Sequence, residues 1–341
     1  MEMRGPTKTL VVATVLAWGM VFGLTGCGGG EEPAETAAKP IRIAFVPKVA
    51  GIPYFEAMNA GGQAAAKQLG VEWSSTGPVT VDPAAQVSIV RGLVDQQVDV
   101  IAIAPNDPRA IAPAITEARA KGVHVITSDT DAPGTDRELF VNQATPEGIG
   151  KALTDALMKK MGNAGKYAIV SCGETAENLN AWIAVQRAYT ATEYPHAQLV
   201  ETVYAGEDKD NATALAKGLM AKYPDLTGLV GECTTSAPGV AEAVRSQQKI
   251  GRVFTVGVGT PQAIKPYLLD GSASLSVLWN VESLGYLTAW AGKQIAEGKR
   301  LSPSNKVNLE LPAIKYEEDT KTVLLGDPLL ITRENVDQFK Y

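Results

Sequence analysis

Six short segments carry most of the side chains in this sequence that could meet a small molecule. They are Pro47-Lys48, Pro105-Asn106-Asp107, Ser128-Asp129-Thr130-Asp131, Cys172-Gly173-Glu174, Cys233-Thr234-Thr235 and Gly259-Thr260-Pro261. Each directly follows a short apolar run. Asp129 and Asp131 have the most chemistry to offer. Two carboxylates can divide acid and base roles on a glycosidic bond, or accept charge-assisted hydrogen bonds from pairs of hydroxyls. Lys48 is a cation placed directly after a buried run, where a lysine is otherwise poorly motivated. The sequence contains no G-x-S-x-G nucleophile turn, no G-x-x-x-x-G-K-[ST] phosphate loop and no dinucleotide glycine fingerprint. Its two histidines, His124 and His196, stand too far apart for metal-ligand spacing. No metal and no cofactor is expected.

The elements that must position these segments follow a repeated grammar. Ile41–Val46 is a continuous branched run, as a strand covered on both faces should be. Pro53 opens a helix with Tyr54, Met58, Ala65 and Leu69 near one face, and Gly70 stops it. Asp82-Pro83 and Asp107-Pro108 each place an N-cap before a proline at the first helical position. Strands are expected at Val98–Ala104 and Val123–Thr127. A second set begins with a helix at Thr145-Pro146 and continues with strands at Tyr167–Ser171, Leu199–Tyr204, Gly228–Glu232 and Val253–Val258. Helices from about Asp210 to Tyr223 and from Ser236 to Gln248 lie between them. Alternating βα units of this length imply parallel sheets with right-handed crossovers. The expected fold class is α/β, with two Rossmann-like doubly wound lobes. Ligands of open parallel sheets bind beyond the carboxyl ends of the strands, which is where the six segments lie.

Composition narrows the classes further. About 300 residues follow Pro40, enough for two lobes. A formal net charge of −6 argues against nucleic acid as a partner, because phosphate binding needs a basic face. At the start, Arg4 and Lys8 precede an apolar run from Leu10 to Leu24. Thr25-Gly26-Cys27 follows, and the whole resembles a bacterial lipoprotein signal in which Cys27 is lipidated and becomes the first residue. The run is about 15 residues, short of the roughly 20 that span a bilayer. Residues 1–26 are therefore expected to be a signal peptide, and 27–40 a flexible tether rich in glycine, proline and alanine. That places the protein in the periplasm or cell envelope, held to a membrane through Cys27. Cys172 and Cys233 could pair there, but both follow buried strands, and the reading favours two separate core residues.

Ile41-Arg-Ile-Ala-Phe-Val-Pro-Lys48, Pro53-Tyr-Phe55, Gln86-Val87, Asp99-Val-Ile-Ala-Ile-Ala-Pro-Asn-Asp107 and Val125-Ile-Thr-Ser-Asp129 together resemble type I periplasmic sugar-binding proteins. Phe140-Val-Asn-Gln-Ala-Thr-Pro146 and Gly259-Thr-Pro-Gln-Ala-Ile-Lys-Pro-Tyr267 are similar to the branch that binds rhamnose or autoinducer-2. The resemblance implies two lobes joined by a multi-strand hinge, residues 41–142 plus about 280–309 forming one and 143–279 plus about 310–341 the other. It implies a monomer that closes over one small sugar and docks on an ABC permease, with no enzymatic activity. Carried over residue by residue, it implies ligand contacts from Asp129, Lys48, one of Tyr54 and Phe55, Asn178, Asn180, Trp182 and Trp279. Asn106, Asp131, Thr235 and Pro238 are further candidates. Autoinducer-2-binding proteins carry an Asp-Gln pair where this chain has Asn178-Leu179, which favours an aldose or deoxy sugar and leaves autoinducer-2 as the alternative. Either Glu232 or Thr235 is then expected to make up the missing polar contacts.

Overall fold

Strand β1 (Arg42–Val46) opens a series of βα units. It is followed by α1 (Pro53–Leu69), β2 (Glu72–Ser75), α2 (Pro83–Asp95), β3 (Val100–Ile103), α3 (Pro108–Ala120), β4 (His124–Ser128) and β5 (Leu139–Asn142). The chain continues through α4 (Pro146–Met161), β6 (Ala164–Ser171), α5 (Glu177–Glu193), β7 (His196–Tyr204), α6 (Lys209–Lys222) and β8 (Leu226–Gly231). Next come α7 (Ser236–Ser246), β9 (Phe254–Val258), α8 (Pro261–Asp270), β10 (Leu275–Leu278) and α9 (Val281–Ala296). Four short strands end it: β11 (Ser304–Asn305), β12 (Ile314–Glu317), β13 (Thr322–Leu324) and β14 (Leu329–Ile331). The computed structural model describes residues 39–339. The expected signal segment, Cys27 and the tether as far as residue 38 lie outside them. No described helix is long and apolar enough to cross a membrane.

The strands form two sheets, ordered β11-β12-β13-β5-β4-β3-β1-β2 and β14-β10-β9-β8-β6-β7. Both are parallel except where β11, β12 and β13 pair with one another and where β14 joins β10. The α/β two-lobed class expected from the βα grammar is the class observed. Alternation along each strand divides the core into two layers. Ile43 and Phe45 of β1 pack with α1 and α9, whereas Ala44 and Val46 pack with α2 and α3. In the second sheet, Tyr167 and Ile169 of β6 face α4 and α5, while Ala168 and Val170 face α6 and α7. The caps read from sequence are made: Asp82 accepts from the main-chain N–H groups of Ala84 and Ala85, and Asp107 from those of Arg109 and Ala110. Each such cap contributes about 1 kcal/mol.

The chain crosses between the sheets three times, at 143–145, 279–280 and 325–328. The last crossing lies later than the lobe assignment from sequence, which began the final second-lobe segment near 310. Strands β12 and β13 instead extend the first sheet, with Val323 of β13 registered against Val141 of β5. Only β14 returns to the second sheet. Helix α9 begins immediately after the second crossing and lies directly on α1. The contact is backbone to backbone: a Cβ on Gly61 would run into the main-chain oxygen of Glu282, and one on Gly285 into that of Met58. Only glycine permits this approach.

Candidate functional site

Four strand ends and the starts of two helices converge between the lobes. Strand β1 delivers Lys48, β4 delivers Asp129, and the first turn of α1 presents Tyr54 and Phe55. From the second lobe come Asn178, Leu179 and Trp182 on α5, Glu207 after β7, and Cys233 and Thr234 after β8. Trp279 enters from the second crossing. With Ile52 and Val258, these residues line one cavity of ≈ 30 Å³. That is about the share of one water molecule in the liquid, roughly 30 Å³. The space between these walls is correspondingly small.

Asp129 is the most constrained of these residues. Its backbone lies in the left-handed region, with φ of 68°, a conformation that aspartate tolerates better than most residues. Backbone strain of this kind clusters at ligand sites. The turn lets its carboxylate accept from Tyr54 Oη at 2.8 Å and Thr130 Oγ1 at 3.2 Å. Lys48 Nζ lies 3.1 Å from Asp129 Oδ2, and both residues are buried. The same ammonium donates to Asn178 Oδ1 at 3.0 Å, and Asn178 Nδ2 donates to the main-chain oxygen of Asp129 at 3.2 Å. The cluster is thus an ion pair of the first lobe closed by an amide of the second.

The aromatic rings form a continuous wall. Tyr54 meets Phe55 at 5.0 Å between centroids and Trp279 at 5.9 Å, and Trp279 meets Trp182 at 5.8 Å, all edge to face. Trp279 Nε1 donates to Tyr54 Oη at 3.1 Å. Burial, together with the charge of Asp129, holds the Tyr54 phenol well above its ordinary range, so it remains a donor to that carboxylate.

Of the residues singled out from sequence, Lys48, Tyr54, Phe55, Asp129, Asn178, Trp182 and Trp279 line the cavity together. Both aromatics of the Tyr54-Phe55 pair are present, where one was expected. Five candidates stand elsewhere. Asp131 is turned away and held by Arg137, whose Nε and Nη2 lie 2.6 and 2.7 Å from its two oxygens. Asn106 holds the loop after β3, donating to the Lys48 carbonyl at 2.9 Å. Asn180 donates to the Glu174 carbonyl beneath α5. Pro238 is buried within the first turn of α7. Thr235 sits behind the wall and donates to Glu207 Oε2 at 3.1 Å.

Glu232 also points away from the cavity. It is fully buried and accepts from Gln186 Nε2 at 2.6 Å, while its other oxygen has no partner among the described residues. Burial pushes its carboxyl up to about 8, with Gln186 pulling the other way. An uncharged carboxyl tolerates such a place far better than a carboxylate.

The two cysteines correct the sequence reading, which kept them apart. They are joined in a disulfide, with Cα atoms 6.1 Å apart, a spacing suited to that bond. The register explains the pairing. Val170 of β6 is opposite Gly231 of β8, so the residues two further along each strand end face each other. Cys172, Glu207 and Cys233 bring potential metal-ligand atoms within 4.8 Å of one another, but the disulfide occupies both sulfurs.

Glu207 is the charged cavity residue that sequence reasoning missed. It is half-buried and follows the edge strand β7, and the signal was available in Tyr204-Ala205-Gly206-Glu207, an acid directly after a strand end. Burial pushes its carboxyl up, Lys48 and Thr235 pull it down, and the charge of Asp129 adds to the rise. A larger hollow of ≈ 610 Å³ opens at the far edge of the first sheet, among Asp95, Asp99, Lys121 and His124. It lies at the amino ends of the strands, the end at which open parallel sheets do not bind ligands.

A family model described as a periplasmic binding protein domain matches residues 43–300. The chain is 28% identical over 247 residues to a D-ribose/D-allose-binding protein of Pseudomonas aeruginosa, covering 70% of this chain and 76% of that protein. An ABC transporter solute-binding protein from Clostridium phytofermentas, solved with bound L-rhamnose, superposes with a TM-score of 0.84 at 27% identity. The match covers 89% of this chain and 98% of that one. LsrB from Clostridium saccharobutylicum, solved in complex with AI-2, shares the fold with a TM-score of 0.82 at 24% identity, covering 88% and 99%.

Proposed function

Because this chain belongs to the periplasmic binding protein family, we propose that it captures a small neutral monosaccharide outside the cytoplasm and presents it to an ABC importer. The observation that carries this reading is the contact of Lys48 and Asp129 with Asn178 across the cleft, beside the Tyr54–Trp279–Trp182 wall. A sugar offers hydroxyls around its rim and weakly apolar C–H faces. Charged and amide groups suit the rim, and aromatic rings suit the faces.

Capture is then an exchange of partners. With the lobes apart, Lys48 and Asp129 remain paired in the first lobe and Asn178 leaves with the second. The ligand's hydroxyls enter between them, and the bonds they make to both sides stabilise the closed form. The closed form is the one an ABC permease would dock. Tethering through a lipid on Cys27 keeps a monomeric binder near that permease. Binding without turnover is the proposed activity. The acid–base pair conceivable from sequence is dissolved by Arg137, which engages Asp131.

Leu179 favours a deoxy or methyl-bearing sugar such as rhamnose over a fully hydroxylated one. It places an apolar side chain in the cavity wall next to Trp182, where a ligand methyl is better accommodated than a hydroxyl. A thermal-shift screen of the purified protein against L-rhamnose, D-ribose, D-allose and other monosaccharides, with autoinducer-2 in parallel, tests the reading. A rise in melting temperature with one sugar and not with autoinducer-2 supports it. Turnover of any sugar or glycoside, or no response to the sugars, would overturn it.

A further inference from the structure

We propose that Glu207 is the second-lobe specificity carboxylate of the cleft, and that it selects a ligand with a hydroxyl on the edge opposite the one held by Asp129. The inference rests on the reading of the cleft as a monosaccharide site. Two carboxylates line that cavity, Asp129 and Glu207, along with one cation, Lys48. Their situations differ. Asp129 is met by Lys48, Tyr54 and Thr130. Glu207 takes one hydrogen bond among the described residues, from Thr235. A carboxylate has about four acceptor positions, so most of this one's capacity is untaken among the described residues. A ligand hydroxyl there would form the stronger, charge-assisted kind of hydrogen bond.

Among the described residues, Glu207 is the one charged second-lobe side chain lining the cavity. Asn178 is uncharged and faces Lys48 and the main chain of Asp129, and its neighbour Leu179 is apolar. Glu232 is turned into the core against Gln186. Glu207, by contrast, is held in place from behind. Thr235 Oγ1 bonds it at 3.1 Å and also lies 3.2 Å from each sulfur of the Cys172–Cys233 disulfide. That disulfide ties the ends of two neighbouring strands. Thr235 is therefore a positioning residue, fixing the carboxylate on a cross-linked floor.

Calorimetric titration of the purified protein with two probe sets tests the assignment: D-ribose with 2-deoxy-D-ribose, and L-rhamnose with its monodeoxy analogues. In the unaltered protein, removal of one particular hydroxyl should weaken binding. Glu207→Ala should weaken the parent sugar by about ten- to hundredfold, and for this variant the same hydroxyl should no longer matter. Glu207→Gln keeps the shape and removes the charge, so it carries the test if the alanine variant fails to fold, and should also flatten that one position. Thr235→Val should give a smaller loss at the same hydroxyl. If both Glu207 variants keep the parent affinity and the full deoxy profile, the assignment is overturned while the sugar site stands. If neither probe set binds the unaltered protein, the sugar reading falls and takes the assignment with it.

Discussion

Lys48 and Asn178 lie 130 residues apart in sequence and meet at 3.0 Å across the cleft, one from each lobe. Besides the return bond from Asn178 to the Asp129 carbonyl, Thr175 Oγ1 donates to the Asn106 carbonyl at 2.9 Å and also joins the lobes. The closed arrangement is thus held partly by the protein's own groups.

Asn178→Ala removes the amide that receives Lys48 and the donor to Asp129. The unliganded variant should spend more time open, raising its radius of gyration in small-angle X-ray scattering above that of the unaltered protein. An unchanged scattering curve would mean that the amide does not contribute to closure.

Asp129→Ala leaves the Lys48 ammonium buried without its counter-charge, which should cost about 3–5 kcal/mol of stability. Adding Lys48→Met to that variant should recover much of the loss. Chemical denaturation of the two variants and the parent measures both steps. Equal stability of single and double variants would show that the ion pair is not coupled.

Glu232 gives the fold a pH dependence of definite sign. Its carboxyl titrates at about 8 when folded and near 4.5 in an unfolded chain. Between those values the folded state binds the extra proton, so this group makes stability fall as pH rises through the window, levelling off above about 8. Glu232→Gln keeps the partner for Gln186 and has no proton to lose. Its melting temperature should exceed the parent's by several degrees at pH 7.5 and differ little at pH 4.5.

Reduction of the Cys172–Cys233 bond, which closes a loop of sequence separation 61, should cost about 2–4 kcal/mol. A melting temperature lowered by dithiothreitol in the parent, and insensitive to it in the Cys172→Ser/Cys233→Ser variant, would register this. Two free thiols in the unreduced, folded protein would contradict the bond.

The fold was largely legible because its strands are branched apolar runs ended by proline, glycine or aspartate. Asp82-Pro83 and Asp107-Pro108 announced α2 and α3 at the residue. Helix α5 was harder to see. Its N-cap, Ala176, makes no side-chain cap, and its buried face mixes Asn178, Gln186 and Thr190 with Leu179 and Trp182. Strand β2 is an edge strand with mostly exposed residues. The short strands β11 to β14 are defined by partners far away in sequence.

The site was half legible for a similar reason. Strand ends locate loops, but not which way a loop turns its side chains. Asp129 and Asp131 look equivalent in sequence. Only Arg137, six residues beyond Asp131, decides that one serves the loop and the other the cleft. Glu232 and Glu207 likewise both follow second-lobe strands, and Gln186 on α5 claims the first.

The splice of α1 to α9 through Gly61 and Gly285 has a thermodynamic consequence for the cleft. Tyr54 and Phe55 belong to the first turn of α1, and Trp279 stands two residues before α9 begins. Two helices touching backbone to backbone leave these rings little freedom to lose. An arriving ligand therefore meets a surface whose disorder was removed when the chain folded, and little of its binding enthalpy goes to ordering that wall.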